Sequence, residues 1–152
     1  MAGTSQGGGL AIAAAALADD VWALITAVPF LCDFRRGAEL APEGPFTELA
    51  AYCAQRPEEI ERVFSTLSYF DAVSLARRCT APALWTVALM DRVIPPSTVL
   101  AAHAAYRGDA QLDVHPFAGH EDARGHQARE ALRFLHKLRT NDHDHDLRED
   151  SP

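Results

Sequence analysis

Two short apolar segments constrain the fold of this chain more than any other feature. Residues 21–28 (VWALITAV) and 82–90 (PALWTVALM) are apolar over the length of one strand, and both contain β-branched and aromatic side chains. Asp20 and Pro29 bound the first segment, and the second ends at Asp91. The two segments therefore predict strands that are buried in a sheet.

Helical segments alternate with these strands. A third strand is predicted at 111–117, where apolar residues partly alternate with other residues. Prolines near the start and acidic residues in the first turn indicate where several helices begin. The segment 29–45 reads as irregular, and helices are predicted at 10–17, 45–55, 57–68, 71–78, 95–106 and 124–138. This alternation predicts an α/β fold with a parallel sheet flanked by helices.

Composition excludes several classes of partner. The chain has 152 residues, 48% of them hydrophobic, which is typical of one globular domain. Fourteen Lys and Arg against 21 Asp and Glu give a net charge of −7, so we expect neither nucleic acid nor an anionic membrane as a partner. No segment resembles a membrane span or a signal peptide. The three widely spaced cysteines form no disulfide framework, which favours a cytoplasmic protein.

The end of the chain differs in composition from the rest. Residues 140–152 include five acidic residues and almost no apolar ones, so we expect a disordered acidic tail after a domain that spans 1–139. The sequence HDHD at 143–146 has no structured ligand beside it, so no metal site is predicted there. No metal or cofactor is expected elsewhere, because the other histidines in or beside predicted elements have no paired ligands: His103, His115, His126 and His136.

The residues Gly3-Thr4-Ser5-Gln6-Gly7 fit G-x-S-x-G, the pattern of a nucleophile elbow. The glycines allow a sharp turn between a strand and a helix, which exposes the hydroxyl of Ser5. The N–H of Gln6 and the positive end of the following helix would then face an oxyanion. A solvated Gly- and Ser-rich leader without function is the alternative interpretation of the same residues.

Asp91 and His120 each follow a predicted strand. Catalytic residues of open α/β sheets lie at the carboxyl ends of strands, and the chain order Ser, Asp, His is that of the α/β-hydrolases. Taken singly, Asp91 could be a helix-capping residue and His120 a surface residue of a Gly-flanked loop. Their joint placement favours a catalytic triad of Ser5, His120 and Asp91.

Several blocks of sequence, taken in order, resemble one family. They are GTSQGGG near the start, VPFLCDF at 28–34, LSYFD at 67–71, LMDRVIPPST at 89–98 and AGHE at 118–121. Together they resemble acetyl xylan esterases and cephalosporin-C deacetylases, the carbohydrate esterase family 7 branch of the α/β-hydrolases. The resemblance covers residue 2 to about residue 138.

The resemblance implies a role for each candidate residue. Ser5 would be the nucleophile, His120 the general base, Asp91 the acid that orients it, and the N–H of Gln6 one oxyanion donor. The implied activity is removal of acetyl groups from small acetylated sugars such as xylo-oligosaccharides, or from cephalosporin C. The resemblance also implies a cytoplasmic enzyme without a cofactor, usually a homo-oligomer of six chains.

The chain departs from the family pattern at its start. Family members have a long N-terminal half with the first strands of the sheet, an RGQ motif and a Tyr that supplies the second oxyanion donor. We therefore expect the C-terminal portion of the hydrolase fold, without even the strand that enters the elbow. Two alternatives stay open: a catalytically silent fragment that needs a complementing N-terminal half, and a hydrolase of another substrate class, such as a peptidase or a thioesterase.

Overall fold

A parallel sheet forms the centre of the computed structural model, which describes residues 1–120 and 124–149, with side chains at 1–120 and 126–141. In this part of the chain, the strands lie in the order β1-β2-β3-β4, and every neighbouring pair is parallel. Their bounds are β1 (Ala2–Thr4), β2 (Leu24–Ala27), β3 (Ala83–Ala88) and β4 (Ala110–His115). The predicted α/β class with a parallel sheet is confirmed.

Helices connect the strands and cover the sheet. Their bounds are α1 (Gln6–Leu17), α2 (Phe34–Leu40), α3 (Phe46–Gln55), α4 (Ile60–Leu67), α5 (Ala72–Ala76), α6 (Pro96–Ala105) and α7 (Arg124–Glu149). A short 3₁₀ turn, Pro57–Glu59, precedes α4 and occupies the start of the helix predicted at 57–68. Within the described residues, we find no helix with both the length and the apolar character needed to cross a membrane.

Different helices pack on the two faces of the sheet. The main core lies on one face, where α1, α5 and α6 pack around Leu24, Trp85 and Val87. On the other face, Phe134 of α7 packs against Ala23 and Leu84. Because both faces are covered, β3 is buried along its whole length, which explains its continuous apolar sequence.

Two elements of the structure were not expected from the sequence. The expectation that no strand enters the elbow is wrong, because Ala2–Thr4 form β1. Parallel pairing with β2 holds this strand, whereas two of its three residues are exposed and carry no strand pattern of their own. The segment expected to be irregular contains α2, which begins where the side chain of Asp33 accepts a hydrogen bond from the N–H of Arg36.

The last helix continues beyond its predicted end at residue 138. The structure extends α7 to Glu149, so residues 140–149 are helical rather than the start of a disordered tail. A helix that is already packed against the sheet through Phe134 needs no new nucleus to extend, so polar residues can add to its end. Residues 150–152 of the predicted tail lie outside the described residues, as do the side chains of the HDHD segment at 143–146.

Candidate active site

Ser5 occupies a sharp turn between β1 and α1. Its backbone has φ 53° and ψ −121°, in the region of positive φ that non-glycine residues seldom adopt. The N–H of Ser5 donates to the carbonyl of Ala27 at 2.9 Å. The carbonyl of Ser5 accepts from the N–H groups of Gly8, Gly9 and Phe30 at 3.0, 3.1 and 2.9 Å. These hydrogen bonds hold the strained turn in place.

The two glycines of the G-x-S-x-G pattern have different roles in this turn. A Cβ atom on Gly3 would lie 2.0 Å from the carbonyl oxygen of Gly7, so the chain cannot close the turn with a side chain there. A Cβ atom on Gly7 would have no other atom within 4 Å. The backbone approaches closely at Gly3, so the turn requires a glycine there. Gly7 has space for a side chain, so the turn does not require a glycine at that position.

The hydroxyl of Ser5 faces a histidine and a buried carboxylate. Ser5 Oγ lies 3.0 Å from His120 Nε2, and His120 Nδ1 lies 2.7 Å from Asp91 Oδ2. A serine before a helix usually accepts a hydrogen bond from the first turn, but Ser5 makes no such capping bond to α1. Its hydroxyl is therefore available to His120.

The surroundings of Asp91 determine which nitrogen of His120 carries the proton. The side chain of Asp91 is 1% exposed, and its Oδ1 accepts from the N–H groups of Val93 and Ile94 at 2.9 and 2.8 Å. An ionised carboxylate only accepts hydrogen bonds, so Nδ1 of His120 is the nitrogen that donates to Oδ2. Nε2 is then the nitrogen that can accept the proton of the Ser5 hydroxyl.

The topology of the sheet explains why these side chains meet. Ser5 follows β1, Asp91 follows β3 and His120 follows β4, and the carboxyl ends of parallel strands lie at the same edge of a sheet. Gln6 is the first residue of α1, so its N–H has no acceptor within the helix. The structure thus brings the three predicted side chains together beside Gln6, while their catalytic roles stay predictions.

A cavity of about 620 Å³ lies beside Ser5 and His120. Small and apolar side chains of β1, β2 and α7 form most of its wall, and its volume is in the range of small-molecule sites. Besides Ser5 and His120, the residues that line the cavity are Ala2, Gly3, Thr4, Ile25, Ala27, Gln127, Ala128 and Ala131. The cavity would accommodate a small acyl ester next to the serine hydroxyl.

Two of the three cysteines, Cys32 and Cys79, are poor nucleophiles. Cys32, Cys53 and Cys79 are free and buried. Burial raises the pKa of Cys79 to about 11, and burial together with the nearby carboxylates of Asp71 and Asp33 raises the pKa of Cys32 well above its ordinary value. The reactive form of a cysteine is the thiolate, so Cys32 and Cys79 are unreactive at neutral pH.

Asp71 supports the site, a role that the sequence did not reveal. Its carboxylate accepts hydrogen bonds from the N–H groups of Asp33, Phe34 and Val73 at 2.9, 2.8 and 2.8 Å. It thereby fixes the loop after β2, whose Phe30 donates to the carbonyl of Ser5. Only the hydrogen bond to Val73 could be expected from the sequence, because Asp71 stands at the start of a predicted helix. The other two partners lie 38 and 37 positions away.

These features define an α/β-hydrolase: a parallel sheet, a serine at a strained turn between a strand and a helix, and an aspartate and a histidine after later strands. A family model described as acetyl xylan esterase (AXE1) matches residues 1–138. The chain belongs to the acetyl xylan esterase family, which confirms the resemblance carried by the sequence blocks.

Solved structures show the same relationship. The chain is 38% identical to acetyl xylan esterase 1 from Thermoanaerobacterium sp. JW/SL YS485, with a TM-score of 0.83, over 90% of this chain and 44% of that one. It is 37% identical to an acetyl xylan esterase from Paenibacillus sp. R4, with a TM-score of 0.81, over 88% and 44% of the two chains. The chain thus spans less than half the length of these esterases.

More distant structures share the fold. A monoacylglycerol lipase from Paleococcus ferrophilus is 18% identical to the chain, with a TM-score of 0.65 over 90% of this chain and 67% of the lipase. At this level of identity, the likeness concerns the α/β-hydrolase fold alone.

Proposed function

We propose that this chain carries the catalytic machinery of a serine-dependent carboxylic ester hydrolase that releases acetate from small acetylated sugars. The observation that supports this proposal most is the continuous hydrogen-bonded series from Ser5 Oγ to His120 Nε2 and from His120 Nδ1 to Asp91 Oδ2. Each of the three side chains has the partner that its catalytic role requires.

The first half of the reaction transfers the acetyl group to the enzyme. His120 Nε2 accepts the hydroxyl proton while Ser5 Oγ attacks the acetyl carbonyl carbon. Asp91 holds the imidazole in place and stabilises the imidazolium that forms. The N–H of Gln6, at the positive end of α1, stabilises the negative charge on the carbonyl oxygen. The bond to the sugar oxygen then breaks, and His120 returns the proton to that oxygen as the alcohol leaves.

The second half of the reaction restores the serine. His120 takes a proton from water, and the resulting nucleophile attacks the acetyl carbon of the ester on Ser5. Collapse of this intermediate breaks the bond to Ser5 Oγ, which recovers its proton from His120, and acetate is released. Every proton transfer in this scheme uses His120 Nε2, the nitrogen that faces Ser5.

The substrate class rests on the relatives and on the cavity. Two solved relatives at 38% and 37% identity are named acetyl xylan esterases, which favours acetylated xylo-oligosaccharides. Cephalosporin C, an acetyl ester of similar size, is a further substrate that the family resemblance supports. The cavity of about 620 Å³ beside Ser5 is in the size range of sites that bind small-molecule substrates.

Acetate release from acetylated xylo-oligosaccharides, with p-nitrophenyl acetate as a second substrate, tests this proposal. Ser5→Ala should lower the rate by at least about 10³-fold, because the nucleophile is lost. Ser65→Ala, which changes an exposed serine of α4, is the matched control and should leave the rate unchanged. Activity that survives in Ser5→Ala would contradict the proposed nucleophile.

A second candidate function is that of a partial hydrolase that is silent until an N-terminal half complements it. The observation that favours it is that the chain spans 44% of the length of both solved esterases. A fluorophosphonate probe separates the two candidates. Labelling of Ser5 without acetate release, followed by release when the N-terminal half of a relative is added, would support the second. Acetate release by the chain alone would support the first.

A further inference from the structure

A second group of ionisable side chains lies between β4 and α7. Asp113 Oδ2 is 2.8 Å from His115 Nε2 and 3.8 Å from His126 Nε2. One ligand atom from each of these three residues lies within 4.8 Å of the other two. His115 and His126, expected from the sequence to have no paired ligands, therefore share one carboxylate.

Strand and helix periodicity explain this arrangement. Asp113 and His115 are two residues apart on β4, so their side chains project from the same face of the sheet. That face also carries Leu84 of β3, against which Phe134 of α7 packs. The first turns of α7 present His126 to the strand, and the rings of His115 and His126 meet edge to face at 5.0 Å.

We propose that Asp113, His115 and His126 bind a divalent transition metal ion of the Zn²⁺ type. Imidazole nitrogen and carboxylate oxygen are the ligands that zinc takes at about 2.0–2.2 Å, and a tetrahedral arrangement then separates neighbouring ligand atoms by about 3.3 Å. The two observed separations from Asp113 Oδ2 lie on either side of that value. Small side-chain shifts would bring all three ligands around one ion.

Glu130 is positioned as a fourth ligand. It follows His126 by one helical turn, and its Oε1 lies 3.9 Å from His126 Nε2. Its carboxylate contacts Arg133 on the exposed side of α7, and this surface ion pair is weak enough to exchange for a metal ligand. Mixed imidazole and carboxylate ligands favour Zn²⁺, Co²⁺ or Ni²⁺ over Ca²⁺ and Mg²⁺, which prefer oxygen alone.

The competing explanation is an ion pair that serves structure alone. A hydrogen bond between Asp113 and His115 accounts for their 2.8 Å separation without a metal. This hydrogen bond does not require His126, whose side chain is 46% exposed and could extend into solvent instead. Substitution of His126 therefore distinguishes the two explanations and carries little risk of unfolding the chain.

Calorimetric titration of the whole chain with ZnCl₂ tests the proposal. Absorption spectra of the chain with Co²⁺ bound then report how the metal ion is coordinated. The parent for all variants carries His143→Gln and His145→Gln, so that the HDHD segment cannot contribute binding. We expect one Zn²⁺ per chain and a higher melting temperature in its presence. His126→Ala should lower the affinity by at least about tenfold and remove the thermal shift.

His136→Ala is the matched control, since His136 is an exposed histidine of the same helix that lies outside the cluster. It should bind Zn²⁺ as the parent does. Equal affinity in the His126→Ala and His136→Ala variants would overturn the proposal, and so would the absence of stoichiometric binding in the parent. Neither readout depends on ester hydrolysis, so the outcome is independent of the proposed function.

Discussion

Ser5 combines an unfavourable backbone conformation with an unusually complete set of backbone hydrogen bonds. A non-glycine residue with φ 53° and ψ −121° raises the free energy of the folded state by about 1–3 kcal/mol. Four backbone hydrogen bonds at its N–H and carbonyl groups offset that strain. The consequence is a hydroxyl that makes no capping bond to α1 and lies 3.0 Å from His120 Nε2.

At Gly3, the turn leaves no space for a side chain. We expect Gly3→Ala to lower the free energy of unfolding by about 3 kcal/mol, because its Cβ would overlap the carbonyl group of Gly7. Gly7→Ala is the matched control within the same motif. It should raise stability by about 0.5–1 kcal/mol, since Gly7 lies inside α1 with open space around its Cα. Urea unfolding measures both changes, and equal destabilisation would contradict the assigned roles.

In the proposed mechanism, Asp91 acts on His120 through its charge and its acceptor oxygen. In Asp91→Asn, the amide oxygen can keep the bonds from Val93 and Ile94, which turns the amide NH₂ toward His120 Nδ1. His120 must then carry its proton on Nε2 and cannot accept one from Ser5. We expect acetate release to fall by about 10⁴-fold with little loss of stability. Asp109→Asn, on an exposed loop, should leave the rate unchanged, and a similar loss there would contradict this role.

At the scale of elements, the loop between β2 and α2 stands out by its backbone strain. Val28, Leu31 and Asp33 all have positive φ, at 39°, 69° and 45°. Such conformations persist where surrounding contacts hold them, and here the carboxylate of Asp71 and the carbonyl of Ser5 accept the loop's N–H groups. The loop is thus part of the support for the turn at Ser5.

Asp71→Asn tests this support. The amide has one acceptor oxygen where the carboxylate has two, so a buried N–H group would face another donor. We expect a loss of about 1–3 kcal/mol in the free energy of unfolding, measured in urea, together with slower acetate release. Asp20→Asn, which changes an exposed aspartate of another loop, should stay within about 0.5 kcal/mol of the parent chain. An unchanged free energy of unfolding for Asp71→Asn would show that the loop keeps its conformation without the carboxylate of Asp71.

Local sequence predicted the elements whose burial is continuous. The segments predicted at 21–28 and 82–90 contain β2 and β3, because a strand covered on both faces must be apolar throughout. β1 was missed, since three mostly exposed residues become a strand only through pairing with β2. The sequence also carried no pattern for α2, because this helix depends on capping by Asp33 and on contact with α3.

The candidate site was predictable to a similar extent. Ser5 was recognisable from the G-x-S-x-G pattern, and Asp91 and His120 because each follows a predicted strand in the chain order of a known class. The contacts of Asp71 and the grouping of His115 with His126 join elements far apart in sequence, so they appear only after folding. Paired spacings, D-x-H on a strand and H-x-x-x-E on a helix, were the available signal for the second cluster.

At the scale of the whole molecule, α7 packs on the side of the sheet opposite α1. Phe134 is 5% exposed and is its main apolar contact with Ala23 and Leu84. The same helix lines the cavity beside Ser5 and carries His126. The position of this one helix therefore affects both sites described above.

Removal of the Phe134 ring should loosen α7 as a unit. We expect Phe134→Ala to lower the free energy of unfolding by about 3 kcal/mol and to speed amide hydrogen exchange along α7. Leu132→Ala is the control on the same helix, since Leu132 is 68% exposed. Its effect should stay within about 0.5 kcal/mol. Exchange that accelerates equally throughout the sheet would show instead that α7 is not an independent unit.

The 115 positions that separate Ser5 from His120 also set the order of events during refolding. Helices form from local contacts, whereas a parallel sheet must close long loops before its strands can pair. The hydrogen bond between Ser5 and His120 joins residues that follow β1 and β4, the two outer strands of the sheet, so it depends on all of these closures. Helical circular dichroism would therefore recover early after dilution from urea, and turnover of an ester would appear only with the slowest kinetic phase.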